Sequence, residues 1–514
     1  MKTKDLIAKR LRREKANERK TKNLQAASKQ QASESQMVEY IIPSAFSPDV
    51  LKEASQLPVN SISQHEILRR RDMRDVLTFT IDPDEAKDFD DALSFQVLDT
   101  GNYQIGIHIA DVTHYVQEQT ALDEEAYNRG TSVYLVDRVI PMLPERLSNE
   151  LCSLRPNEDK LCMSVIVEID PNAKVIRHKI CRTVICSNYR LTYRQAQDIL
   201  DNQVQESQLK NLQLATALTT LNLLAKQLRA NRFRQGAINF ESPEVHFRLD
   251  ETGEPIGIYF HKLFDSNHLI EEFMLLANRR VAEYCAYRMV NGRKVPRPMV
   301  FRVHDEPSED KLERFREFAL RFGHYFKAQK GRAVAKEMNK LLTTIAGSAE
   351  QNAITTLAVR SMAKAVYTTD NIGHYGLAFP YYTHFTSPIR RYPDMMVHRL
   401  LAAYLDGEKR ADKKQLEELC VHSTEREIVA SEAERASIKY KMAEFMRDRI
   451  GEEFEGVISG LTEWGVYVEL NDTHVEGMAF LRDIDGDDYY RFDEARYEVV
   501  GRSSGIRLTL GSPV

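Results

Sequence analysis

Asp82, Asp88, Asp90 and Asp91 fall within ten positions of the segment LTFTIDPDEAKDFDDAL, residues 77–93, where Lys87 is the only cation. Two carboxylates about 4 Å apart repel by about 4 kcal/mol at an effective dielectric near 20. One lysine cannot offset that. A hard divalent cation can, because Mg²⁺ takes oxygen ligands and keeps positions open for water and phosphate. A helix–loop–helix calcium site does not fit: a loop starting at Asp82 puts Lys87 where glycine is required and Leu93 where the terminal glutamate belongs. The plain alternative is a solvated acidic loop. Apolar strands flank the segment and Phe89 and Ala92 interrupt its charges, which favours Mg²⁺ and, with it, phosphoryl chemistry.

A second stretch, YYTHFTSPIRRYPDMMVHRLL at 381–401, runs from a hydroxyl- and aromatic-rich loop into a helix expected over 388–406. Pro388 suits a first helical turn, with Thr386 and Ser387 as caps. Arg390 and Arg391 would then add bidentate donors to a helix N-terminus, which binds phosphate by itself. Two other constellations read as structural. His108, Asp111 and His114 of HIADVTH sit in strand context, and His304–Asp305 of VHDEP has no companion histidine motif.

These residues need a scaffold, and 514 residues allow two to four domains. The first 36 residues read as a basic, disordered tail: residues 1–30 hold eleven Lys/Arg against three acids, although the whole chain carries only −5. A Pro- and Ser-punctuated connector covers 37–75. From Leu77 the pattern alternates with period two, and DTGN at 99–102 marks a hairpin turn. After Tyr189 helical periodicity dominates, with helices expected over 265–292, 308–322, 333–347, 350–367, 388–406 and 412–449. The last part, from Phe454, has short strands cornered by glycine. The expected class is α+β: a large catalytic domain over 76–450, with a mixed β core surrounded by long helices. A partial OB-type barrel follows over 451–514, about two strands short. Six scattered cysteines without a C-x-x-C pair read as reduced core thiols, and no signal segment or membrane span is visible.

TIDPDEAKDFDDA, TSVYLVDRVIPMLPERLSNELCSLRPNEDKL, GAINFES, HDEPS and HFTSPIRRYPDMMVHRLL together resemble the catalytic domain of the ribonuclease II/ribonuclease R superfamily, and the barrel resembles an S1 domain. YPD after the arginines and DDYYRFDE at 487–494 bring it nearer to ribonuclease R. The resemblance implies a processive, Mg²⁺-dependent 3′→5′ exoribonuclease. It would hydrolyse single-stranded RNA, and structured RNA where it can enter, to nucleoside 5′-monophosphates, acting as a cytoplasmic monomer. By motif, Asp82, Asp88 and Asp91 would hold the metal, Asp90 would be indispensable for cleavage, and Arg390 would clamp the scissile phosphate. Tyr134 and Phe240 would sandwich terminal bases, Tyr193 and Glu271 would help select ribose, and Glu434 would line the same cavity. Trp464 and Tyr467 are the stacking candidates of the barrel, where Phe480 replaces a common histidine.

The family places two cold-shock-type barrels ahead of the catalytic domain. The short N-terminal region shows no barrel pattern, so weaker RNA capture is expected. The other reading is a catalytically inactive RNA-binding regulator on the same fold; retention of all four aspartates and Arg390 speaks against it.

Overall fold

The structure is a computed structural model that describes residues 42–58, 62–201, 212–240, 244–261, 263–348, 350–407, 411–484, 488–493 and 498–514. The basic tail and parts of INFES and DDYYRFDE lie outside them.

A seven-stranded mixed sheet organises the N-terminal half. In chain order its strands are β1 (Arg71–Asp72), β2 (Thr78–Asp82), β3 (Asp91–Val97), β4 (Tyr103–Ala110), β5 (Asp159–Ile169), β6 (Val175–Cys186) and β7 (Tyr189–Thr192); in space they run β1-β6-β5-β4-β3-β2-β7. The two edge pairings are parallel and the rest antiparallel. The β3–β4 hairpin turns at DTGN as the sequence predicts.

The central strands are covered on both faces. Ile105, Ile107 and Ile109 line one face of β4 with no exposed surface. On the other face, His108 bonds Ser94 through Nε2 (2.9 Å) and Ser164 through Nδ1 (2.7 Å), and Ser164 bonds Thr183 (2.6 Å). A side chain at Gly106 would collide with Ser94 and the His108 ring, so glycine is needed there. Burial, then Arg71, lowers His108 to a pKa of about 3. Asp111 pairs with Arg70 at 2.7 Å, both buried. His304 is likewise occupied, accepting the Gly376 N–H (2.9 Å) and bonding the Ala363 carbonyl (2.9 Å). Both histidine constellations are structural.

Five helices matter for the site: α1 (Tyr193–Leu200), α2 (Leu212–Arg234), α3 (Asp265–Ala286), α4 (Tyr392–Leu405) and α5 (Lys413–Arg447). Three sequence expectations shift. The helix expected over 265–292 stops at Ala286, because Asn291 and Gly292 take positive φ (49° and 78°) and turn a hairpin, Tyr287–Val290 with Arg293–Pro296. The one expected over 350–367 stops at Ser361, and Val366–Thr368 pairs with Phe301–Val303 instead. The helix expected from 388 starts at Tyr392, with Pro393 in its first turn. Pro388, Arg390 and Arg391 therefore sit in the turn before it.

The barrel differs too. Gly456–Leu461, Gly465–Leu470 and Glu476–Phe480 form one three-stranded sheet; Tyr490–Asp493, Glu498–Gly501 and Arg507–Thr509 form another. Ile458, Leu461, Val466, Tyr490 and Val499 make their shared core. Val514 exchanges two backbone hydrogen bonds with Gly456, each 2.9 Å, which ties the final residues to the first strand. The strands of the second sheet are three or four residues long, too short for an alternation to show.

Among the described residues no helix is long and apolar enough to cross a membrane. All six cysteines are free. Removing one partner of a buried ion pair leaves an uncompensated charge, at a cost of about 3–5 kcal/mol. Asp111→Ala is therefore expected to lower stability by about that much, read as a large drop in thermal midpoint, while Asp72→Ala, half-exposed beside Arg74, should cost under about 1 kcal/mol.

Candidate active site

The acidic segment begins where β2 ends at Asp82 and finishes where β3 begins at Asp91. Its bends are fixed from outside. Ser153 Oγ donates to the Lys87 carbonyl (2.7 Å) and accepts the Phe89 N–H (3.0 Å), while Arg190 donates to the carbonyls of Pro83 (2.6 Å) and Asp84 (2.9 Å). Phe89 is buried, with Arg190 lying 5.5 Å over its ring. The segment is therefore not a solvated loop: Asp82 and Asp90 are 8% and 6% exposed, and Asp88 and Asp91 are half-buried.

Asp90 joins this segment to one 299 residues away. Its carbonyl accepts the Ala110 N–H inside the sheet (2.9 Å), and its side-chain Oδ1 accepts the Ile389 N–H (2.9 Å). Its Oδ2 stands 3.7 Å from Arg390 Nε. Burial foremost raises the pKa of all four aspartates. Repulsion from Asp91 adds to the rise at Asp82, and Arg390 opposes it at the other three. Asp82 Oδ2 and Asp91 Oδ2 are buried without a hydrogen-bond partner. A buried carboxylate oxygen in that state is costly unless something cationic reaches it.

The two arginines of SPIRR part company. Arg391 is pinned to Asp394 through Nη2 at 2.8 Å, its guanidinium largely buried beside Tyr367 and Tyr382. The Arg390 side chain is 40% exposed, and its one described hydrogen bond runs from Nη2 to Ser387 Oγ (3.0 Å). Most of its five donors therefore remain available to an incoming anion.

The Arg390 carbonyl accepts from the Ser132 N–H (2.9 Å) and Thr131 Oγ1 (3.0 Å), leading straight into the short strand Val133–Tyr134. The Tyr134 N–H donates to Glu434 of α5 (2.9 Å). Burial of its hydroxyl, with Asp88, Asp90 and Glu434 near and Arg390 opposing, pushes Tyr134 up to about 12, while its ring stays 43% exposed. Burial also raises Glu434, against Arg390 and the Tyr134 N–H. Tyr193 opens α1 behind the Thr192–Gln195 capping box, and burial and then Asp91 and Asp82 raise its hydroxyl.

Two expected residues fall elsewhere. Glu271 on α3 bonds Arg232 (2.9 Å), Arg229 (3.2 Å) and His268 (3.1 Å); despite burial these hold its pKa down. Phe240 packs on the apolar cluster of Ile238, Phe315 and Met338. No described contact links either to the acidic cluster. The arrangement also includes Ser153, Arg190 and Asp394, to which sequence reasoning gave no role, and Ser387, read there only as a helix cap.

Among the described residues no three His, Cys, Asp or Glu side chains close into a ready-made metal cage. Asp82, Asp88 and Asp91, grouped from the sequence, do not by themselves form such a cage.

A sheet that ends in buried carboxylates thus faces an arginine-bearing turn. The RNB domain matches residues 70–407, and the chain belongs to that family. It is 39% identical over 479 residues to ribonuclease R 1 of Lactococcus lactis, covering 92% of this chain and 57% of that protein. It is 40% identical over 482 residues to ribonuclease R of Aquifex aeolicus, covering 92% and 66%. The chain thus spans under two thirds of these curated relatives. Mycoplasma genitalium RNase R, solved in complex with ribose-methylated single-stranded RNA, superposes with a TM-score of 0.85 at 27% identity, covering 94% of this chain and 74% of that one. The resemblance read from five motifs, and the α+β class, are borne out.

An aspartate whose pKa is raised in the fold is stable protonated, so its contribution is lost as pH climbs from the ordinary carboxylate range through the folded value. In EDTA, Asp82→Asn is expected to raise the thermal midpoint at pH 8 and to change it little at pH 4, where wild-type Asp82 already carries its proton. A fall at both pH values would show that the carboxylate is not repelled.

Proposed function

We propose that this chain is a 3′→5′ exoribonuclease that hydrolyses single-stranded RNA to nucleoside 5′-monophosphates with Mg²⁺ as its metal. One observation carries the reading: the Asp90 carboxylate is bonded to the turn that presents Arg390, beside the unpartnered oxygens of Asp82 and Asp91. The relatives named ribonuclease R, and the RNA complex of the Mycoplasma genitalium protein, support RNA as the substrate.

The donor set fits Mg²⁺. It is all oxygen, it includes two buried oxygens with nothing to bond, and Mg²⁺ ordinarily keeps several waters and takes one or two protein carboxylates. Asp82, Asp88 and Asp91 would hold it. Bound there, the ion would lower the pKa of a bound water and neutralise charge on the phosphate.

The chain's own residues do the rest. Arg390 grips the scissile phosphate with its free donors and stabilises the charge that develops on the equatorial oxygens. Asp90, fixed by the Ile389 N–H at one oxygen, offers the other to orient the attacking water. A water oxygen bonds to phosphorus and the bond to the 3′-oxygen of the shortened strand breaks. That 3′-oxygen leaves with a proton, and a nucleoside 5′-monophosphate is released. Tyr134 presents a half-exposed ring for stacking beside Arg390, which tolerates any base.

Tyr193 and Glu434 border the same place. Phe240 and Glu271 are assigned to the RNA path on their motifs. Residues 76–450 act as the catalytic domain and 451–514 as an S1-type RNA-binding domain, with Trp464 exposed for stacking.

The test uses 5′-labelled single-stranded RNA with Mg²⁺ or EDTA. Stepwise shortening from the 3′ end should require both Mg²⁺ and Asp90, and vanish in Asp90→Asn. Tight binding without shortening by the wild-type chain would instead establish the inactive regulator. Arg390→Ala should lower kcat about 10²- to 10³-fold. Tyr134→Ala should weaken RNA binding by about 1–3 kcal/mol, measured by fluorescence anisotropy.

A further inference from the structure

We infer that Ser387 is a positioning residue: its hydroxyl sets the guanidinium of Arg390 against Asp90. The proposal rests on the exoribonuclease reading and adds a residue to it.

Ser387 is 6% exposed and uses every polar atom it has. Its N–H donates to Asp394 Oδ1 (2.8 Å), its carbonyl accepts the N–H groups of Arg391 (3.0 Å) and Arg390 (3.3 Å), and its Oγ accepts from Arg390 Nη2 (3.0 Å). The backbone bonds shape the turn. The hydroxyl bond alone reaches the guanidinium.

Asp394 makes this serine immobile. It is fully buried on α4, and the oxygen that takes the Ser387 N–H also takes Arg391 Nη2 (2.8 Å). Two residues on, the Ile389 N–H is held by Asp90. The main chain is thus pinned on both sides of Pro388, while the Arg390 side chain projects from it half-exposed.

Arg390 needs such a tether. Its Nε is 3.7 Å from Asp90 Oδ2, beyond hydrogen-bond reach, so charge attraction draws the guanidinium toward the carboxylate without fixing its plane. A planar fork binds phosphate well only when its plane is set, and an arginine side chain has much rotamer freedom to lose. With Nη2 anchored on Ser387, the guanidinium is held with Nε 3.7 Å from Asp90 while most of its donors stay unbonded.

The variants Ser387→Ala and Ser387→Thr separate this role from a merely structural one. Alanine keeps all three backbone bonds and removes only the hydroxyl, and threonine restores it. Single-turnover cleavage by Ser387→Ala, with saturating RNA, is expected to fall roughly ten- to a hundredfold, the scale of one hydrogen bond to a charged group. Its KM and thermal midpoint should stay near wild type, and Ser387→Thr should recover most of the rate. An unchanged rate in Ser387→Ala, or a loss that threonine fails to restore, overturns the inference. Crystal structures of both proteins give a readout independent of turnover: Arg390 should leave its place in Ser387→Ala, and a guanidinium that stays put overturns the inference. If the wild-type chain shortens no RNA, the exoribonuclease reading falls, and the structures alone decide the positioning claim.

Discussion

One hydrogen bond holds the two halves of this site together: the Ile389 N–H on the carboxylate of Asp90. Asp90 reaches into the sheet with its backbone and out to the arginine turn with its side chain. The acidic segment and the turn therefore cannot be placed independently. The same bond consumes one carboxylate oxygen and leaves the other facing Arg390. Neither this bond nor Arg390 cancels the desolvation of the cluster, since all four aspartates are shifted upward. The fold carries that cost at the end of the sheet, and the large apolar core around the sheet offsets it.

The twin arginines show how burial divides two identical side chains. Arg391 lies in the interior, and a buried guanidinium requires a partner, which Asp394 supplies. Arg390 is 40% exposed, with one tether and several free donors. Sequence reasoning treated them as one bidentate unit on a helix. The real helix starts later because the Ser387 N–H and carbonyl already have partners in a turn, and Pro393 fits the first turn of α4 instead.

Much of the scaffold was readable because it rests on local pattern. The alternation of β3 and β4, the DTGN turn and the long amphipathic helices each state their geometry within a dozen residues. What failed to show depends on distant partners. The hairpin at Asn291–Gly292 was overrun by helical periodicity, although Asn-Gly is a strong turn signal. The last barrel strands have only three or four residues, and their pairing closes on Gly456, more than fifty residues back. Asp82, Asp88, Asp90, Asp91, Arg390, Tyr134, Tyr193 and Glu434 do gather, as their motifs implied. Glu271 bonds Arg229 and Arg232 and Phe240 packs on an apolar cluster, and no described contact ties either to the aspartates.

The long helix α5 fixes the spacing between this site and the barrel. Glu434 on it holds the Tyr134 N–H, which ties the helix to the strand stitched onto Arg390. Further along, Lys441 bonds the Gly253 carbonyl (2.6 Å) and Arg447 approaches Glu254 (3.6 Å), anchoring the hairpin Glu244–Leu249/Pro255–His261. Phe260 of that hairpin packs edge-on against His474 of the barrel at 4.5 Å. From Glu434 to Arg447 the helix advances about 20 Å at 1.5 Å per residue. Because the helix is clamped at both ends of that interval, the strand carrying Tyr134 and the hairpin that packs on His474 stand at a set separation.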